Sequence, residues 1–218
     1  MSRAEVSVVV AVRNGAARLG EALDSIRAQS HAAAEIVVVD GRSTDDTVAV
    51  ATQRGDVRLL RQEGEGLGDA RNRGIAAARC PVIAFLDHDD LWTPGKLARQ
   101  LAALAALPPP AGIVAHLVER DPDGIDGPPR PGRTPGTLLA DRALLDAVGG
   151  FATDLAIGTD MEWFARAAER GARLVLLPDV LLVKRRRDDS LSADRARSRA
   201  EAFAVLRRSL ARRRASGP

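Results

Sequence analysis

The sharpest chemical feature of the chain is Asp87-His88-Asp89-Asp90, directly behind the apolar run 82–86. In an extended segment, residues two apart point the same way. Asp87 and Asp89 are therefore expected to present two carboxylates to one side, with His88 turned to the other and structural. Magnesium and manganese take oxygen ligands, commonly one or two carboxylates plus substrate phosphates. A diphosphate leaving group needs such a cation to stabilise its developing charge. The competing reading is an acidic loop that caps the next helix, with Asp90 as the capping group.

Two further segments carry polar groups suited to a nucleotide. Asp40-Gly41-Arg42-Ser43-Thr44-Asp45 follows a β-branched run; glycine permits a tight turn, and the Asp40 carboxylate can accept hydrogen bonds from a nucleobase or ribose. A turn and helix cap explains Ser43 to Asp46 but explains Asp40 poorly. Gly68-Asp69-Ala70-Arg71-Asn72-Arg73-Gly74 places a guanidinium near a helix start, where it suits a diphosphate because arginine binds phosphate bidentately. Its plain alternative is a solvated helix face. Trp92 and Trp163 each follow an acidic segment and are read as core side chains rather than sugar platforms.

The elements that must position these residues follow from periodicity. Residues 6–12 are apolar on both alternating faces, as in a central parallel strand covered on both sides. Helical spacing follows through Leu19, Leu23 and Ile26 up to Ser30. Residues 36–39, 57–60 and 82–86 are the next strands. Ser43 to Asp46 reads as a helix start. Gly64, Gly66 and Gly68 form a loop before a helix over 69–79, and Thr93-Pro94 opens a helix to about Leu107, ended by three prolines. This β-α order implies a mostly parallel sheet with helices on both faces. Ligands of such sheets bind outside the strands' carboxyl ends, where Asn14, Asp40 and Asp87 converge.

The second half is less regular. A strand over 113–118, a Pro/Gly-rich loop over 121–136 and a short helix over 140–147 are expected. A helix over 161–170 is closed by Gly171, and strands over 174–177 and 180–183 flank Pro178-Asp179. One α/β domain over 1–192 follows, with halves 1–107 and 108–192, and a basic helix over 193–218. Phe203, Leu206 and Leu210 share one side of that helix among arginines. Docking on the domain or self-association is preferred for it over lying on an anionic membrane.

Composition narrows the function. The 218 residues carry a net charge of +3, with Lys96 and Lys184 the two lysines, so the basic balance is arginine. Aromatics are 3% with no tyrosine, which leaves no stacking platform for single-stranded nucleic acid. The single cysteine, Cys80, forms no internal disulfide and suggests no cysteine-based zinc site. His31 and His116 read as ordinary histidines. No apolar run approaches a membrane span and no signal peptide is evident, so a cytoplasmic location, with an option of peripheral attachment at the inner membrane face, is expected.

Together the stretches VSVVVAVRNG, EIVVVDGRSTDDT, GLGDARNRGIAAA, VIAFLDHDDLWTPGKL and GGFATDLAIGTDMEWFARAAERG resemble family 2 nucleotide-sugar glycosyltransferases of the GT-A fold. The resemblance implies a Rossmann-like sheet binding a nucleotide-diphosphate sugar, a UDP-sugar foremost, through Val12, Asn14, Asp40, Gly68, Arg71, Asp87 and His88. It implies Mn2+ or Mg2+ on Asp87 and Asp89, and inversion by one direct displacement onto an unidentified acceptor. Asp160 matches the family's catalytic base at the opening of an acceptor-side helix. Thr159 stands where that family has an acidic partner, and Glu162 is the rival base. The family's histidine after the late arginine cluster is replaced, since Arg185-Arg186-Arg187 runs into Asp188-Asp189; Arg186 or Arg187 could instead meet the diphosphate. A non-catalytic binding module and a nucleotidyltransferase are the alternatives; the latter needs a glycine-rich loop where only Arg13-Asn14-Gly15 follows the first strand.

Overall fold

The structure, a computed structural model, describes residues 4–186 and 195–215. The first half runs β1 (Val6–Val12), α1 (Ala16–Arg27), β2 (Glu35–Asp40), α2 (Thr47–Thr52), β3 (Val57–Arg61), α3 (Gly66–Ala77), β4 (Val82–Asp87), β5 (Leu91–Trp92) and α4 (Lys96–Ala105). The second half runs β6 (Gly112–Arg120), β7 (Arg130–Pro131), a 3-10 turn (Pro135–Thr137), β8 (Leu139–Asp141), α5 (Arg142–Val148), α6 (Thr159–Glu169), β9 (Leu174–Arg185) and α7 (Arg195–Ala215). Strands β1 to β4 form a parallel block in the order β3-β2-β1-β4, as the alternation of elements predicts.

Burial explains the block. Every residue of β1 is buried. Val6, Val8, Val10 and Val12 pack on one face with Leu19, Leu23 and Ile26 of α1. Val9 faces the other way, with Ile83, Phe85, Phe151 and Trp163. Covering both faces removes the polar alternation of a half-exposed strand. Register then aligns the strand ends, Val12 beside Asp40 and Ala11 beside Asp87, so the polar residues after each strand share one rim.

The second half closes the sheet differently from the expected pattern. β8, read as part of a helix over 140–147, is an antiparallel strand between β4 and β6, and α5 begins after it at Arg142. The expected strands over 174–177 and 180–183 are one strand, β9, whose pairing with β6 shifts register around Pro178-Asp179. That shift lets the chain pass a proline without ending the strand. β7 and the 3-10 turn lie inside the expected loop over 121–136.

Several helix starts also differ. α2 begins at Thr47, whose N–H Asp45 accepts at 3.1 Å; Ser43 Oγ accepts the Asn14 N–H at 2.8 Å and Asp45 also accepts that of Ala16, so these side chains tie the α1 entry as well. α3 begins at Gly66, inside the expected glycine loop. α4 begins at Lys96 behind Gly95, because Thr93 and Pro94 form the preceding turn. α7 docks on α6 as expected, but through the side opposite Phe203, Leu206 and Leu210: Val205 and Ser209 are buried there, and Arg212 reaches Glu162 at 3.0 Å and Glu169 at 2.6 Å.

Lys96 is fully buried under α4, its Nζ donating to Gln100 Oε1 at 2.7 Å and lying 4.1 Å from the Trp92 ring centre. Burial, with no carboxylate paired to it among the described residues, pushes its pKa well below the ordinary lysine value. The unfolded chain then binds more protons than the folded one until pH reaches lysine's ordinary range. Folding stability from this residue should therefore rise with pH as the ordinary lysine range near about 10 is approached from below. Lys96→Met lacks that dependence, so its urea midpoint relative to wild type should decline steadily over this range; a constant difference would mean Lys96 titrates normally.

Candidate active site

Arg71 projects from α3 and is 3% exposed. One guanidinium nitrogen donates to Asp87 Oδ1 at 2.8 Å and the other to Thr159 Oγ1 at 3.1 Å, with the group 5.4 Å from the centre of the Phe151 ring. The solvated-face reading of this residue therefore fails: Arg71 is an internal clasp joining the end of β4 to the start of α6. Its depth in the fold follows from Gly68. A Cβ there would run into the Ala152 carbonyl, so only glycine lets α3 lie against this loop. Burial alone would raise the Asp87 pKa; Arg71 and Lys184 outweigh it and hold the carboxyl below its usual range.

Asp87 to Asp90 is a turn, not the extended segment expected, with Asp90 N–H donating to the Asp87 carbonyl at 3.1 Å. Nor does Asp90 cap α4. It is buried, and Oδ1 accepts the Arg185 N–H at 3.0 Å, fixing β9 against the turn. Burial, and then the adjacent Asp87, push its pKa well above the usual value. His88 packs half-buried against Gly15. Lys184, at the end of β9, is the residue missed by sequence reasoning. Burial favours its neutral form, but Asp90, Asp87, Asp160 and Asp89 outweigh burial and hold its pKa above the ordinary value. The signal was a lone lysine ending an apolar strand, just before the arginine triplet.

Two clefts are relevant, one at the end of β2 and one that shares Lys184 with this cluster. One, of about 390 Å³, is lined by Asp40, Ser43, Val48, Leu59, Leu60 and Arg61. Asp40 is 3% exposed and accepts the Ser43 N–H, which orients its carboxylate at the cleft. Asn14 holds the neighbouring loop, accepting the Thr44 N–H at 2.8 Å. The Val12 side chain is in the core and its carbonyl already accepts the Gly41 N–H, so Val12 shapes this end of the sheet from behind.

The second cleft, of about 350 Å³, holds Asp160 and Lys184 together with Arg130, Arg133 and Thr134. Gly158, at φ 77°, turns the chain into α6, and Asp160 follows two residues later, its Oδ1 accepting the Met161 N–H at 2.9 Å. Glu162 is buried on another face, gripped by Arg166 at 2.8 Å and Arg212 at 3.0 Å. Of the two acids, Asp160 alone lines the cleft. Trp92 and Trp163 are core side chains, donating to the carbonyls of Gly136 and Gly149. Cys80 is buried, and His31 and His116 bond to backbone carbonyls. The exposed Arg186 continues the pairing of β9 by donating its N–H to the Arg120 carbonyl; Arg187, Asp188 and Asp189 lie outside the described residues.

The chain matches the family described as Glycosyl transferase family 2 over residues 7–157. It belongs to glycosyltransferase family 2. It is 38% identical over 128 residues to the uncharacterized glycosyltransferase alr2836 of Nostoc, covering 56% of this chain and 38% of the relative. It is 42% identical over 126 residues to the succinoglycan biosynthesis protein ExoO of Rhizobium meliloti, covering 56% of this chain and 35% of that protein. The chain thus matches little more than a third of the length of these relatives. Among solved structures, S. aureus TarS 1-349 in complex with UDP-GlcNAc superposes with a TM-score of 0.74 at 22% identity, over 87% of this chain and 61% of that one. The Pyrobaculum calidifontis mannosyltransferase PcManGT, in complex with GDP-Man and Mn2+, gives 0.70 at 26% identity over 88% and 60%. Glucosyl-3-phosphoglycerate synthase of Mycobacterium tuberculosis, with Mn2+, UDP and phosphoglyceric acid, gives 0.74 at 21% identity over 94% and 78%. The fold is GT-A.

The clasp can be tested by itself. Arg71→Ala leaves the Asp87 charge without its hydrogen-bonded partner and should lower folding stability by about 3 kcal/mol. Thr159→Val leaves one buried guanidinium N–H unmade and should cost about 1 kcal/mol. Urea denaturation reads both; a near-zero effect of Arg71→Ala would show that water replaces the clasp.

Proposed function

We propose that this chain is a metal-dependent, inverting glycosyltransferase that moves a sugar from a nucleotide-diphosphate donor to an acceptor hydroxyl. The observation that carries the reading is that Asp87, Asp89, Asp90 and Asp160 all act on Lys184, which lines one cleft with Asp160 while Asp40 lines another; in this reading the Asp40 cleft takes the nucleoside and the Asp160 cleft the acceptor. Asp40, lining the first cleft, is the base or ribose contact, Asn14, His88 and the Val12 end of β1 keep that side in shape, and Gly68 sets the depth of Arg71. TarS with UDP-GlcNAc and the mycobacterial synthase with UDP make a UDP-sugar the first donor to try, ahead of GDP- and dTDP-sugars.

Asp87 and Asp89 would offer a hard divalent cation carboxylate oxygens, the donors it prefers. Among the described residues no group of three or more His, Cys, Asp or Glu side chains is placed to hold a metal ion. Two carboxylates with substrate phosphates completing the shell is the arrangement Mg2+ and Mn2+ commonly adopt. When bound, such an ion would neutralise charge developing on the departing diphosphate. Lys184 adds a fixed cation beside it. Asp160 takes the acceptor hydroxyl proton as that oxygen bonds to the anomeric carbon, while the bond from this carbon to the diphosphate breaks and its electrons leave with the nucleotide.

Thr159, standing in place of an acidic partner, accepts from Arg71 through its hydroxyl. A protein that binds nucleotide without turnover is the remaining alternative. With UDP at about a hundred times its dissociation constant and Mn2+ present, the melting temperature should rise by roughly 5 °C. Asp89→Ala should remove the rise. Asp160→Asn should keep the rise while lowering release of UDP from UDP-sugars by about 100-fold or more. Stabilisation without any turnover by the wild-type protein would favour the binding module, and full turnover by Asp160→Asn would remove Asp160 from the mechanism.

A further inference from the structure

α7 has two unlike faces. Toward α6 it is fixed by Val205 and Ser209, by Arg212 to Glu162 and Glu169, by Arg208 to Asp154 at 2.7 Å, and by Glu201 accepting the Ile157 N–H. Away from the domain, Phe203, Leu206 and Leu210 are 65%, 53% and 46% exposed. Arg199, Arg207 and Arg214 are exposed as well. At 3.6 residues per turn all six fall within roughly 100° of the helix circumference. No ion pair to Arg199, Arg207 or Arg214 is seen among the described residues, whereas Arg208 and Arg212, on the docked face, are both paired.

We propose that this outer stripe of α7 is a binding surface for an anionic lipid bilayer. Three large apolar side chains between three cations provide the two signals that reversible membrane attachment needs, apolar insertion and attraction to acidic headgroups. Arginine stems can lie along the apolar surface while their heads reach phosphate. Charge decides against a second copy of the chain. A twofold pairing sets one patch against itself, and α7 carries eight arginines against one acid, Glu201, which is already engaged with the domain. No helix among the described residues is long and apolar enough to cross a membrane, so attachment through α7 would lay the domain on the surface. The inference is independent of the proposed reaction.

Co-sedimentation of the full chain with vesicles of phosphatidylglycerol in phosphatidylcholine, and of phosphatidylcholine alone, tests it. Binding is expected to the anionic vesicles only, weakening as salt is raised. Replacing all three apolar residues (Phe203→Ser, Leu206→Ser, Leu210→Ser) should abolish it. Replacing the three cations (Arg199→Gln, Arg207→Gln, Arg214→Gln) should weaken it about 100-fold. All six positions are exposed, so both variants should melt with the wild type; the lipid and salt dependence of the wild-type protein stands as evidence without them. Equal sedimentation with both vesicle types, no sedimentation with either, or a dimer by light scattering that the serine variant dissolves would each overturn the proposal.

Discussion

A guanidinium removed from water must find its partners inside the protein, and Arg71 finds two that are far apart in sequence. Asp87 ends a strand of the parallel block, and Thr159 opens the helix that presents Asp160. Satisfying one buried cation therefore fixes the distance between the acidic turn and the carboxylate in the second cleft. The contact lies on α3, whose approach is set by a glycine that tolerates no side chain. Packing, charge and site geometry are thus one constraint. It joins the parallel block of the first half to the helix α6 of the second.

Around that clasp the electrostatics are arranged with little slack. Asp87, Asp89, Asp90 and Asp160 all act on Lys184, and Asp90 is held away from solvent against the backbone of β9. Such a cluster stores negative potential where a cation or a phosphate-bearing ligand can change the balance. The parallel strands supply the setting: aligned ends place Asp40 and Asp87 on one rim, and the closing strands β8, β6 and β9 bring the second half up to it. α7 then covers α6 from behind, so the segment bearing Asp160 is braced by Arg71 on one side and by the arginines of α7 on the other.

Much of this is legible in the amino-acid sequence. The doubly apolar strands named the parallel block, and polar breaks after them named Asp40 and Asp87, because burial of both strand faces leaves polar groups only at the ends. Helix rotation says that Asp160 and Glu162 cannot both face one site, and the family resemblance points to Asp160; Glu162 is the one turned inward to arginine. What was not readable depended on partners distant in sequence. The burial of Arg71 needs Thr159 and Phe151; the role of Lys184 needs four carboxylates from two segments; the turn at Asp87 to Asp90 is stabilised by β9. β8 escaped because three residues carry no periodicity, and the join in β9 because Pro178 is an ordinary strand breaker unless a register shift absorbs it.

The central claim is that the acidic turn and Asp160 belong to one site, with the sugar to be transferred between them. A crystal grown with Mn2+ and a slowly hydrolysed UDP-sugar analogue, with the ion located by anomalous scattering, tests this most directly. The account predicts manganese on the carboxylates of Asp87 and Asp89, the base in the cleft at Asp40, and the anomeric carbon facing Asp160. An ion bound away from the turn, or a sugar pointing away from Asp160, would contradict it.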